Sequence, residues 1–516
     1  MLEPLAFILA AVAVIVTLQL AAKRTGLPAA ALLTLAGLLY AVLPGRNLTL
    51  DPHVILTFVI PPLIYSAALN SSLTAIRKNL RTLISLSIGL VLVTGVITGV
   101  GLGLFVPEIG LAAGVALGAA IAPTDPVAAL AVGNGIRLPA RLVTIIEGEG
   151  LLNDATALTL LTVAVTAVTS GGFSVGGAVA HFLLAAAGGL LSGVIVALAM
   201  RVLRRLIHDP LLVNVLSLAT PFAAYLLGEA AHVSGVLAVA VSGLMIGHDT
   251  PRYSSGASRL QVTAVWRLAD FLLQGFVFLL IGEQIVPVVR GLREYSPGTV
   301  AAAVAVSLGT VLVLRPLWLL LMVRPRLDGR AIGVLSWAGT RGVISLAAIF
   351  TVPLTAARGL PFPGRDLLLF CAFLVVVVTL VGQGLTFGLI TRALGVRADP
   401  ADEALLRWEA RHAAVRAGLA RLDQIADRGE LDGPALTALR ASLAHEAGHD
   451  GERGRLAADH DAALRARREV IDAQREELLC WRDAGYLPDS SLRVLERELD
   501  HEERTLPPHD DSQSLA

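Results

Sequence analysis

Residues 147–154 read Glu147-Gly148-Glu149-Gly150-Leu151-Leu152-Asn153-Asp154, and the stretch that follows, Ala155–Ala167, carries no charge. A charged side chain at the centre of a bilayer costs about 3 kcal/mol or more, so acids set in an apolar run are functional candidates. On a helix Glu149 and Asn153 share a face at i,i+4, and Glu147 and Asp154 share another at i,i+7. Asn153 and Asp154 point about 100° apart. Asp154 sits about one turn into the membrane, ahead of that uncharged stretch, where a desolvated carboxylate can hold either a proton or a small hard cation. The competing reading for Asp154 and for Glu149 is a permanent pair with an arginine.

Two other stretches at membrane depth carry polar groups. Ala122-Pro123-Thr124-Asp125-Pro126 places two prolines three residues apart in an apolar run. Each proline removes a backbone donor and crowds the preceding turn, so local unwinding is expected, with carbonyls freed for a cation beside Thr124 and Asp125. An ordinary proline kink, with Asp125 capping the half-helix beyond it, is the alternative. Trp337-Ala338-Gly339-Thr340-Arg341-Gly342-Val343-Ile344-Ser345 sets one arginine between two glycines. Arg341 needs a buried acid, and Glu149 is the partner expected for it. Arg315, Arg267, Asp270 and Glu283 also lie in or near apolar runs, and read as interfacial side chains or helix-end pairs. Glu283, after Gly282, is an accessory ion-path candidate, as is Glu147.

The whole chain supports a bilayer. Its 516 residues are 55% hydrophobic and 16% charged, with mean hydropathy +0.71. Soluble domains carry about 25% charged residues, so a cytosolic enzyme is excluded as a reading of the whole. A span needs about 20 apolar residues, and roughly thirteen such runs are placed, the ninth of them short and counted through the topology: 4–21, 27–45, 52–69, 83–106, 111–133, 142–169, 175–200, 211–229, 234–247, 268–289, 298–322, 331–354 and 366–390. Loops after odd-numbered runs hold 16 Lys and Arg, those after even-numbered runs 5. The positive-inside rule then puts the N-terminus outside and the C-terminal tail in the cytoplasm. The fifth and twelfth runs, the two interrupted ones, cross in opposite directions, which is the sequence signature of inverted repeats around a midplane site. The first run is read as a span, not a cleaved signal, because Lys23-Arg24 follows it.

Residues 1–396 form the membrane domain, with net charge +9, and residues 397–516 an acidic helical cytosolic domain, with −9. Leu405, Trp408, Val415, Leu419 and Leu422 recur at helical spacing in that tail. Two cysteines, Cys371 and Cys480, are too few for a disulfide framework. No phosphate-binding G-x-x-x-x-G-K-[ST] loop and no H-E-x-x-H motif occurs. The expectation is therefore no cofactor, no enzymatic activity, no nucleic acid, and membrane lipid as the surroundings.

Pro61-Pro62, Ala122–Ala128, Glu147–Ala157 and Gly339–Leu346 together resemble the monovalent cation:proton antiporter family of bacterial NhaP proteins and animal sodium/proton exchangers. The resemblance covers residues 4–396. It implies an all-α polytopic membrane protein of about 13 transmembrane helices, with inverted repeats and two interrupted crossing helices, in the cell membrane and as a homodimer. By the same resemblance Asp154 carries the ion or proton, with Asn153 beside it and Thr124 and Asp125 in the crossover. Asp154 and Thr124 are the implied ligands of the cation, and Glu149 with Arg341 the bracing pair. An Asn-Asp pair implies electroneutral one-for-one exchange. Two departures stand out: Ser66 occupies a place where many relatives have an acid, and Gly150 one where a serine often follows the glutamate. Both remove oxygen ligands, which keeps K⁺ and Li⁺ open beside Na⁺.

The function expected is Na⁺ (or K⁺) exchange for H⁺, with Asp154 alternating between them while a bundle holding the fifth, sixth and twelfth spans moves against a scaffold. The rival readings are a gated cation channel and an ion sensor that signals through its tail.

Overall fold

A computed structural model of the chain describes residues 2–42, 54–127, 129–130, 138–170, 175–207, 209–253, 256–324, 327–356, 360–397 and 400–428, with short pieces between 433 and 499. Met1–Ala398 and Asp399–Ala516 are two separate compact units. Among the described residues the first is helical throughout, with one isolated β-bridge between Thr355 and Pro361.

Its helices follow the apolar runs. In chain order they are α1 Leu2–Thr25, α2 Ala29–Val42, α3 Ile55–Asn70, α4 Leu80–Phe105, α5 Gly110–Ile121, α6 Ala140–Ser170 and α7 Val175–Leu206. They continue with α8 Pro210–Ala230, α9 Gly235–Tyr253, α10 Gly256–Glu283, α11 Pro297–Val323, α12 Gly329–Trp337, α13 Val343–Phe350 and α14 Arg365–Leu394. Seven of the described helices are long and apolar enough to cross a membrane, and α2, α3, α5 and α9 are shorter apolar helices. The starts are set by local chemistry: the side chains of Asp209, Ser296 and Asp328 accept a backbone N–H of the first turn, and Pro210 and Pro297 supply a fixed φ. Large aliphatic side chains such as Leu104, Leu184 and Leu191 stay exposed, which suits lipid and not water.

Packing sorts these helices into two bundles. In one, α2 lies along α10, α9 packs on α3, α7 and α8, and α1 joins α2 and α10. In the other, α5 is sandwiched between α4 and α6, and α11 to α14 close around them. The α4–α5 contact is backbone on backbone: a methyl on Gly118 would stand 2.7 Å from the Cα of Gly95. That approach brings the proline-rich end of α5 into the middle of its bundle. The bundles meet where α6 touches α3, α7 and α9, and where α13 touches α10.

The second unit contains α15, Pro400–Asp427. Val415 and Leu422 are buried and Leu419 is half-buried, along the stripe read from the sequence. The placement of the Leu405 and Trp408 side chains lies outside the described residues.

Candidate functional site

Both interrupted segments break where their sequences say. The chain leaves helical geometry at 122–126, between α5 and a turn that resumes at Val127, and again at 339–342, between α12 and α13. The two breaks cross and hold each other. The backbone N–H of Asp125 donates to the carbonyl of Thr340 at 2.7 Å, and the Thr340 hydroxyl donates to the carbonyl of Asp125 at 2.6 Å. Unwound backbone inside a membrane needs such partners, and each break supplies them to the other.

The charges at the crossover complement the helix ends. Arg341, 2% exposed, donates through Nε to the Ile121 carbonyl at 2.9 Å and reaches the Ala122 carbonyl, so it covers the negative end of α5. Its third partner is the carbonyl of Gly339, and its backbone N–H donates to Thr379 Oγ1. Asp125 lies at the positive end of α13: a Cβ on Gly342 would stand 1.8 Å from its Oδ2. Its Oδ1 accepts the Val127 N–H at 2.9 Å, so the capping reading of Asp125 is realised as well.

The expected pairing of Glu149 with Arg341 is not formed. Arg315 of α11 takes Glu149 instead, through two guanidinium–carboxylate contacts, Nη1 to Oε1 and Nη2 to Oε2, the second at 2.9 Å. Arg315 is 2% exposed and also donates to the Leu335 carbonyl, so the interfacial reading of Arg315 fails too. The physical reason is competition: the carbonyls left open by the break in α5 lie nearer to Arg341 than any acid among the described residues and take up its donors. Arg315-Pro316, an arginine inside an apolar run, was the available sequence signal.

Thr124 and Asn153 continue the network. Thr124 Oγ1 donates to Glu149 Oε1 at 3.1 Å and accepts from Asn153 Nδ2 at 3.0 Å. Asn153 is thus turned towards the crossover. Its Oδ1 is buried with no partner, and the residue does not line the cavity beside it.

That cavity, about 480 Å³, lies between the two bundles. Asp154, Glu147 and Gly150 of α6, the crossover from Pro123 to Val127, and Gly342 to Ser345 form one side. Ser66 of α3 with Asp270 and Gln274 of α10 form the other. Asp154 is 4% exposed, and no hydrogen bond or ion pair from the described residues reaches its carboxylate. The structure therefore gathers Asp154, Asp125, Thr124, Glu147 and Ser66 at one cavity. Glu283 is buried at the end of α10 but does not line it. Asp270 and Ser345 are lining residues that the sequence reading did not select.

Two broken helices crossing inside one bundle, with an unpaired buried acid at a cavity shared with a second bundle, define a secondary ion transporter of the membrane. The transmembrane sodium/hydrogen exchanger profile matches residues 9–393, and the chain belongs to that family. It is 34% identical to an uncharacterized Na⁺/H⁺ exchanger of Mycobacterium tuberculosis, over 97% of this chain and 95% of the relative. A Na⁺/H⁺ antiporter of Synechocystis sp. is 31% identical over 77% of this chain and 72% of its own. A sodium, potassium, lithium and rubidium/H⁺ antiporter of Bacillus pumilus is 31% identical over 67% and 55%. The fold is similar to that of a sodium proton antiporter of Methanocaldococcus jannaschii, with a TM-score of 0.61 at 18% identity, covering 76% of this chain and 99% of that one.

Proposed function

We propose that the protein exchanges one monovalent cation for one proton, with Asp154 as the group that carries either. The supporting observation is the carboxylate of Asp154, buried at the cavity without a partner among the described residues, since an acid in that position must be neutralised by something mobile. Thr124 and Asp125, at the same cavity, are the proposed neighbours of the cation. Na⁺ is the first cargo, and K⁺ and Li⁺ are within reach, in keeping with the range in the name of the Bacillus pumilus relative. One titrating carboxylate makes the exchange electroneutral, because either cargo cancels the same single charge.

The two-bundle arrangement supports alternating access, in which the bundle of α4–α6 and α11–α14 carries Asp154 past the wall formed by α3 and α10. The protein crosses the cell membrane thirteen times, with its N-terminus outside, its acidic tail in the cytoplasm, and a second copy as its partner. The test is Asp154→Asn in proteoliposomes. We expect assembled protein that no longer couples Na⁺ movement to H⁺ movement; pH-dependent exchange retained by that variant rules the reading out.

A further inference from the structure

The wall of the cavity opposite Asp154 is polar in a periodic way. Ser66 and Asn70 lie at i,i+4 on α3, Asp270 and Gln274 at i,i+4 on α10, and all four face the cavity. Ser66 Oγ donates to Asp270 Oδ2 at 2.5 Å, while Asp270 Oδ1 is buried with no hydrogen-bond partner among the described residues. Among the described residues no arginine or lysine pairs with Asp270. An amide would anchor Ser66 as well as a carboxylate does, and at far lower cost at membrane depth.

An independent feature faces the same space. Ser345 of α13 is 1% exposed, lines the cavity, and its Oγ has no partner among the described residues. It follows Gly342 by three residues, hence on the same side of the helix, and Gly342 is the residue packed against Asp125. An unmet buried hydroxyl costs about 1–3 kcal/mol unless a visitor uses it. Neutral and anionic oxygens of this kind are what an alkali cation needs when it loses water.

We propose that Asp270, oriented by Ser66, is a second cation-binding position of this cavity, fixed to the bundle that does not carry Asp154, from which the cation passes to Asp154 with the Ser345 hydroxyl as a neutral ligand on the receiving side. The inference rests on the exchange reading above and extends it. Because Asp270 stays with its own bundle, its charge is not transported and the one-for-one ratio is unaffected.

Asp270→Asn keeps an acceptor for the Ser66 hydroxyl and removes the charge. In proteoliposomes of the full chain we expect the half-saturating Na⁺ concentration to rise about tenfold, the loss of one charge-assisted contact, with the maximal rate falling by less than about threefold. The double variant Asp270→Asn/Ser66→Asp, which returns a carboxylate from the other side of that hydrogen bond, should recover most of the affinity. Na⁺-induced stabilisation against thermal unfolding in detergent should show the same order. An unchanged half-saturating concentration in Asp270→Asn overturns the proposal. So does a double variant that is as weak as the single one. Should Asp270→Asn not fold, the double variant alone decides, against wild type. The detergent measurement needs no transport, so failure of the exchange reading, seen as coupled exchange by Asp154→Asn, is distinguishable from failure of this one.

Discussion

Asp125 and Thr340 clasp each other across two broken helices, one through its backbone N–H, the other through its hydroxyl. The pair joins segments 215 residues apart in sequence at the point where neither can satisfy its own backbone. The threonine is the replaceable half. Thr340→Val keeps the shape and leaves the Asp125 carbonyl unmet, at a cost of about 1–3 kcal/mol. Thermal unfolding in detergent should register that loss, while Thr340→Ser stays near wild type; equal stability of the valine and serine variants would show that the hydroxyl does not brace the crossover.

Glu149 and Arg315 should behave as one unit. Both are buried, so Glu149→Gln leaves a guanidinium without its counter-charge and should cost about 3–5 kcal/mol. Removing both, as in Glu149→Gln/Arg315→Met, should cost clearly less than the sum of the single changes. The same cycle run with Arg341→Met in place of Arg315→Met should show the smaller coupling, because Arg341 spends its donors on the Ile121, Ala122 and Gly339 carbonyls. Stronger coupling of Glu149 to Arg341 than to Arg315 would contradict this geometry.

The sequence made the fold legible through periodicity and punctuation. Apolar runs set the helices, and Pro123, Pro126, Gly339 and Gly342 marked both breaks, because proline and glycine act locally and leave their mark in the chain itself. Asp154 was legible for the same reason, as an acid in an apolar run. Partner choice was not. Whether Glu149 meets Arg315 or Arg341 depends on which helix presents its guanidinium to the carboxylate, a tertiary matter that spacing along the chain does not encode. Asp270 was hidden differently: from sequence it could have faced lipid headgroups, and only the placement of α10 against α3 brings it to Ser66.

Gly342 tests how closely the crossover must fit. A methyl there would stand 1.8 Å from Asp125 Oδ2, closer than any real contact. Gly342→Ala must turn the Asp125 carboxylate away or push α13 back, at a cost of about 1–3 kcal/mol for overpacking. Exchange should fall by about tenfold or more while the protein still inserts and purifies, since the rest of α13 is unchanged. Wild-type exchange in this variant would mean that the position of Asp125 is irrelevant to transport.

Under the exchange proposed above, competition at a single carboxylate fixes the sign of the pH response. As pH falls, protons occupy Asp154 more often, so more Na⁺ is needed to reach half-maximal exchange, by at most about tenfold per pH unit for one proton. At high pH the carboxylate is free and the half-saturating Na⁺ concentration levels off, but the rate falls because the return step lacks its proton. Imposing a membrane potential of either sign with a potassium gradient and an ionophore should leave the rate unchanged under Na⁺ saturation, because a neutralised Asp154 carries no charge in either direction. A rate that follows the potential would require a second transported charge, and Asp125 at the same cavity would be the residue to substitute next.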